Sequence, residues 1–198
     1  MALFETITDN FDDNSIDTGK WTTYGSNVSE TSQQLQVTTT LAGDYAGVQT
    51  LATYDLTGSS VRVQLIDAGN QSLASLEVYP GLLQIDSNNY VTWLVAGGNI
   101  AAYKKVAGVA TSLYSAAYSS STHQWFRIRE SGGTTYWDTY DGSTWTNRHS
   151  ATNPITVTAL YADLQVGTWA AELSTTTVKF DNFNLGPKNG GLTLLGVG

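Results

Sequence analysis

The chain has 198 residues, no cysteine, a formal net charge of -8 and only 13% charged residues. Disulfides, thiol chemistry and cysteine-based zinc sites are thereby excluded, and an anionic surface is set against nucleic acid, whose phosphates it would repel. With 19 Gly, 3 Pro and 11 Tyr, the composition favours strands and tight turns in one sandwich-sized domain with a large core.

At the N-terminus, Met1 to Glu5 shows neither a basic region nor a long apolar run, so no secretory signal is expected there. No segment approaches the roughly 18 apolar residues of a membrane span, and membrane insertion is not expected. The expected location is therefore a virion or the extracellular space, reached from the cytoplasm without a signal peptide. Alternation begins at Leu35-Gln36-Val37 and is clear at Val61 to Leu65, where Val61, Val63 and Leu65 share one face and Arg62 and Gln64 the other. Further strands are expected over 73–79, 82–86, 90–95, 100–106 and 112–118. Two more, 124–130 and 134–140, flank the turn Ser131-Gly132-Gly133, and a second turn, Asp141-Gly142-Ser143, leads to Trp145. Within this meander Phe126 and Ile128 are expected in the core, with Trp125, Arg127 and Arg129 on the other face. Strands over 155–164 and 177–185 complete the set. No amphipathic helix is convincing, and many short strands with regular turns predict a two-sheet sandwich or a barrel.

Beyond Leu185 the composition changes. Residues 1–185 are read as the domain, and 186–198 as a Gly-rich linker followed by the apolar tail Leu192-Thr193-Leu194-Leu195-Gly196-Val197-Gly198. Such a tail either adds a strand to its own domain or docks on a neighbour, giving a homo-oligomer or a larger assembly.

Three segments carry a resemblance. The run WFRIRESGGTTYWDTYDGSTW at Trp125 to Trp145, the opening Asp9-Asn10-Phe11-Asp12-Asp13-Asn14-Ser15-Ile16-Asp17-Thr18-Gly19-Lys20-Trp21, and the closing Val178-Lys179-Phe180-Asp181-Asn182-Phe183-Asn184-Leu185 resemble, in order and spacing, the concanavalin A-like lectin/glucanase superfamily, which includes laminin-G-like domains. The resemblance implies an all-β fold, a two-sheet antiparallel β-sandwich of jelly-roll type. It also implies a structural Ca2+ near the terminal strands, with Asp181 as first candidate ligand helped by Asp12 and Asp13. Read from the residues alone, the same aspartates serve equally as turn formers and caps.

Glycosidase chemistry needs two carboxyls at close range. The resembled glucanases place theirs on one strand as Glu-x-Asp-x-(x)-Glu, and no such run exists among Glu5, Glu30, Glu77, Glu130 and Glu172. His123 and His149 form no triad or metal motif. A carbohydrate-binding face is therefore expected without catalytic residues. It would be built from Glu77 and Tyr79, from Trp125, Arg127 and Arg129, and from Tyr136, Asp138 and Tyr140, where aromatic faces stack on sugar rings. Arginines beside aromatics also form cation–π stacks that only stabilise a sheet. The leading expectation is a non-enzymatic, lectin-like adhesion module for a glycan or polysaccharide, displayed on a virus particle. The alternative is a purely structural virion decoration or tail protein. A glycoside hydrolase or polysaccharide lyase with an unusual site is the third reading.

Overall fold

The computed structural model describes residues 1–187. The apolar tail and most of the expected linker lie outside them. After a single 3-10 turn at Phe4–Thr6, the chain forms β1 (Trp21–Tyr24), β2 (Val28–Thr31), β3 (Gln34–Thr38), β4 (Tyr45–Thr50), β5 (Ser60–Asp67), β6 (Leu76–Asp86) and β7 (Asn89–Ala96). It continues through β8 (Asn99–Val106), β9 (Val109–Ala117), β10 (Trp125–Ser131), β11 (Thr134–Tyr140), β12 (Trp145–Thr152), β13 (Tyr161–Thr168) and β14 (Thr177–Asp181). The strands build two seven-stranded antiparallel sheets, β1-β4-β13-β6-β7-β8-β9 and β12-β11-β10-β5-β14-β3-β2. The expected all-β two-sheet sandwich is what the chain adopts.

Period two sorts the side chains. Val61, Val63 and Leu65 of β5, Phe126 and Ile128 of β10, and Ala162, Leu164 and Val166 of β13 are all buried between the sheets. Two tryptophans tie the layers together. Trp93 of β7 meets Phe126 edge-on at 5.5 Å and its Nε1 donates to the Arg127 carbonyl at 3.1 Å, while Trp137 of β11 donates from Nε1 to the Thr92 carbonyl at 3.1 Å. Each indole thus buries a large ring and satisfies its one donor.

Three expectations shift. The runs 73–79 and 82–86 are one strand, β6, because Pro80 and Gly81 lie in a bulge rather than a break. Gly81 adopts φ +91° there, and the register slips against both β7 and β13. The run 155–164 is mostly not strand: Ile155 and Val157 are buried from an irregular segment, and β13 starts at Tyr161. Strands β1, β2, β4 and β12 carry too little apolar alternation to be read from sequence.

The turn after β10 is held from below by Glu130, which is 5% exposed. Its Oε2 accepts from the Gly58 amide at 2.7 Å and its Oε1 from the Gly133 amide at 2.6 Å. The Gly58 bond, then the Gly133 bond, hold its carboxyl below the ordinary value of 4.5. Removing the acceptor strands two amides. Glu130→Ala is therefore expected to cost about 1–3 kcal/mol in urea denaturation at pH 7. A group with a depressed folded pKa stabilises above its unfolded value, so this difference should narrow as pH falls below about 4.5. An unchanged midpoint at pH 7 would refute it.

Candidate functional site

The outer face of the first sheet gathers six of the eleven tyrosines: Tyr24 (β1), Tyr45 (β4), Tyr79 (β6), Tyr90 (β7), Tyr103 (β8) and Tyr161 (β13). Ladder register puts them on one side. Tyr161 stands opposite Gln84, and Gln84 opposite Tyr90; Asp163 stands opposite Leu82, Leu82 opposite Thr92, and Thr92 opposite Tyr103. Directly paired residues of neighbouring strands project to the same face. Two carboxyls, Glu77 and Asp163, share this tyrosine-lined surface.

Glu77 is reached across a glycine. Tyr45, Gly167 and Glu77 form one cross-strand row over β4, β13 and β6. A Cβ on Gly167 would come within 2.3 Å of the Tyr45 ring, so only glycine lets that ring lie across β13. Its hydroxyl then donates to Glu77 Oε2, which also accepts from the Tyr79 hydroxyl at 2.7 Å. Burial first, and the Glu77 carboxylate beside them, raise both phenols far above the ordinary tyrosine value, so both stay protonated donors.

Asp163 lies four residues along β13 from Gly167 and is 1% exposed. Gln49 Nε2 donates to its Oδ1 at 3.1 Å and Gln84 Nε2 to its Oδ2 at 2.6 Å. The Tyr24 hydroxyl is buried close to Asp163 and Gln165 without forming a well-shaped hydrogen bond to either. Burial pushes the Asp163 carboxyl up from 3.8 to about 7, against the smaller pull of Gln84, Gln49 and Tyr24. Strand rise places it roughly 13 Å along the ladder from Glu77. Proton donation to an oxygen leaving group calls for a carboxylic acid that keeps its proton near neutral pH.

The residues expected to bind carbohydrate divide between the two outer faces. Glu77 and Tyr79 are on the tyrosine face. Trp125, Arg127, Arg129, Tyr136, Asp138 and Tyr140 belong to β10 and β11 in the opposite sheet, so no single groove contains both groups. On that second face Asp138 is 1% exposed and takes Arg127 Nη2 at 2.8 Å and Arg129 Nε at 2.8 Å on Oδ2. The Arg127 guanidinium stacks on Trp145 at 4.1 Å and that of Arg129 on Tyr136 at 3.9 Å. Trp125 and Tyr140 are buried, and edge a cavity of about 320 Å³ with Gln64, Gln124 and Asn182.

The aspartates expected to hold calcium make short-range contacts. Asp12 accepts from Asn10, Asp13 from the Ser15 amide and Asp181 from the Asn182 amide. Among the described residues no three His, Cys, Asp or Glu side chains come together to hold a metal ion.

Sequence reasoning missed Asp163, Tyr45 and Trp169. Trp169 follows β13, its amide donating to the Ser75 carbonyl at 3.2 Å, so the ladder runs one residue further. In phase with Asp163, Gln165 and Gly167 it faces outward, and it is 64% exposed at the Glu77 end of the face. The core positions Ala162, Leu164 and Val166 were the available signal, since they put every odd residue from 161 to 169 on the outer face.

No family model matches the sequence, and no curated protein matches it. Solved structures do. The Crh5 transglycosylase is 17% identical with a TM-score of 0.69, covering 91% of this chain and 85% of its own. LamAcat from Zobellia galactanivorans is 9% identical with a TM-score of 0.65, covering 90% and 94%. A mutant of the GH43 protein BlXynB from Bacillus licheniformis is 14% identical with a TM-score of 0.61 over 89% of this chain, which spans only 38% of that protein. At these identities the likeness establishes architecture: the chain has the concanavalin A-like jelly-roll fold. It also corrects the expectation of a non-enzymatic lectin-like or virion structural module. The expectation of no catalysis rested on a missing strand motif and that of a virion role on the missing signal, the missing cysteines and the apolar tail, whereas the matched folds are those of a transglycosylase and of a GH43 protein.

Proposed function

We propose that this chain is a carbohydrate-processing enzyme that takes a glycan along its tyrosine-lined face, with Asp163 as the acid. The observation that carries this reading is the placement of Asp163 on that face, in register with Leu82 of β6 and held by the Gln49 and Gln84 amides, where burial also raises its carboxyl. The fold it shares with a transglycosylase and with a GH43 protein supports the same reading. Asp163 gives its proton to the glycosidic oxygen as the carbon–oxygen bond breaks. The sugar carbon is then taken by water or by an acceptor hydroxyl, and the new carboxylate recovers that group's proton. Glu77 is wider of Asp163 than the roughly 5.5 Å of a retaining pair or the roughly 9.5 Å limit of an inverting one. Its part is to bind the chain rather than to attack it.

The test is product analysis on a panel of neutral and amino polysaccharides, scoring reducing ends and, with oligosaccharide acceptors, transfer products. Asp163→Asn is expected to lower turnover by about a hundredfold or more. No product from any substrate, or equal product from wild type and variant, would end the reading. Trp169 supplies an exposed ring for stacking on a sugar remote from the cleaved bond. Trp169→Ala should raise KM about threefold to tenfold with kcat held and the melting temperature unmoved, because the ring packs on little else. A fall in kcat alone would contradict that role.

A further inference from the structure

The Glu77 end of the face has a charge balance that a neutral sugar does not answer. Glu77 Oε2 is clasped by the Tyr45 and Tyr79 hydroxyls, while Oε1 accepts no hydrogen bond from the described residues. Among the described residues no cation pairs with Glu77: the ion pairs formed are those of Lys20 with Asp9 and Asp17, and of Arg127 and Arg129 with Asp138. The outward residues of β1, β4, β6 and β13 include no lysine or arginine. Lys105 of β8 lies over the Tyr90 ring at 5.7 Å. Around the carboxylate stand the Tyr45 and Tyr79 rings, 6.4 Å apart and tilted by 55°, and Tyr90 lies within electrostatic reach. A carboxylate with one open oxygen and no cation partner attracts an ammonium group more strongly than a hydroxyl. The net charge of -8 draws polycations and repels uronic or sulfated chains.

We infer that the Tyr45–Gly167–Glu77 row is a subsite for the protonated amine of an amino sugar, so that the glycan processed is one bearing free amino groups. The inference rests on the glycan-processing reading given under Proposed function and narrows it to a substrate class. A hexosamine whose nitrogen is acetylated offers the same ring without the charge, and is the comparison that isolates the subsite.

The experiment is calorimetric titration of the full chain with a β-1,4-glucosamine tetramer, its fully N-acetylated counterpart and a neutral β-1,4-glucose tetramer, at pH 5.5 and pH 9. The glucosamine tetramer is expected to bind about tenfold more tightly than either comparison at pH 5.5. That advantage should vanish at pH 9, where the amine is neutral, and in Glu77→Gln. Tyr45→Phe, which keeps the ring and removes one hydroxyl, serves as the second variant should Glu77→Gln misfold, and should change the preference at least threefold. Equal binding of the three tetramers by wild type, or a preference that survives Glu77→Gln, would overturn the amino-sugar subsite while leaving the glycan reading intact. Failure of every tetramer to bind, together with no product on the polysaccharide panel, would overturn both.

Discussion

Asp163→Asn is expected to inactivate the protein and, above neutral pH, to make it more stable. The carboxyl's ordinary value is 3.8, and burial raises it to about 7 in the folded chain. A raised folded pKa means the native state holds the proton more tightly than the unfolded chain does. Its contribution is fully present below about pH 4 and is lost as pH rises to about 7, beyond which the fold carries a buried, poorly solvated charge. The difference of roughly three pH units corresponds to a penalty on the order of 4 kcal/mol in alkaline solution. Asparagine carries no charge, and Gln49 and Gln84 can turn their amides to offer it acceptors as well as donors. Thermal melts across pH 4 to 9 should therefore show the wild type losing stability between pH 4 and 7 while the variant stays flatter, the two diverging most at pH 8 to 9. Glu30 pulls the wild type and the variant alike, since burial and the neighbouring Asp13 also raise its carboxyl to about 7, so the comparison rather than the absolute slope is diagnostic. A variant less stable than wild type at pH 8 would mean that Asp163 is ionised and structurally paired, and it would remove the acid from the mechanism. A gain in stability with loss of turnover is the pattern of a residue kept for chemistry at the expense of the fold.

How much of this was legible follows from what alternation can and cannot report. Period two placed Phe126 and Ile128 in the core and Glu77 and Tyr79 on an outer face, because each strand carries its own record of which side is wet. It could not report which strands are neighbours. Tyr45 reaches Glu77 only because β4, β13 and β6 lie side by side with Gly167 between them, and Gly167 has no side chain to reveal its facing. Asp163 was hidden differently: the apolar run from Ile155 suggested a strand ending where the real one begins. The face of β11 was obscured because consecutive residues from Trp137 through Tyr140 are all buried. Facing still alternates against β10, but the outward Asp138 is covered by Arg127 and Arg129 and Tyr140 packs on Trp145, while the extra residue of the slip, Arg148, belongs to β12. The expectation of an all-β two-sheet sandwich held, since it needed only the count and spacing of strands.

Asp138→Asn is expected to be among the most destabilising single changes on the surface sheets, about 3–5 kcal/mol, because it strips the charge from a buried carboxylate with two guanidinium partners. Ladder register stacks Arg62, Arg127 and Asp138 in one row across β5, β10 and β11, with Arg129 one pleat along. The Arg62 Nε is itself buried without a partner. Three arginines thus crowd the middle of the second sheet, and Asp138 is the carboxylate set among them. Asparagine keeps the shape and one acceptor oxygen, so a loss would report charge rather than packing. The ion pairs are not solvent-screened surface contacts, since Asp138 is 1% exposed and Asn147 Nδ2 donates to its other oxygen at 2.9 Å. Urea denaturation should show a lower midpoint at unchanged slope, whereas a shift under 0.5 kcal/mol would put the network with weak exposed pairs. Arg129→Lys gives the complementary measurement. Lysine preserves charge but not the planar stack on Tyr136, so a loss well below that of Asp138→Asn would assign most of the energy to the carboxylate and the remainder to cation–π contact. If both hold, the arginine-rich face is the brace of the sandwich.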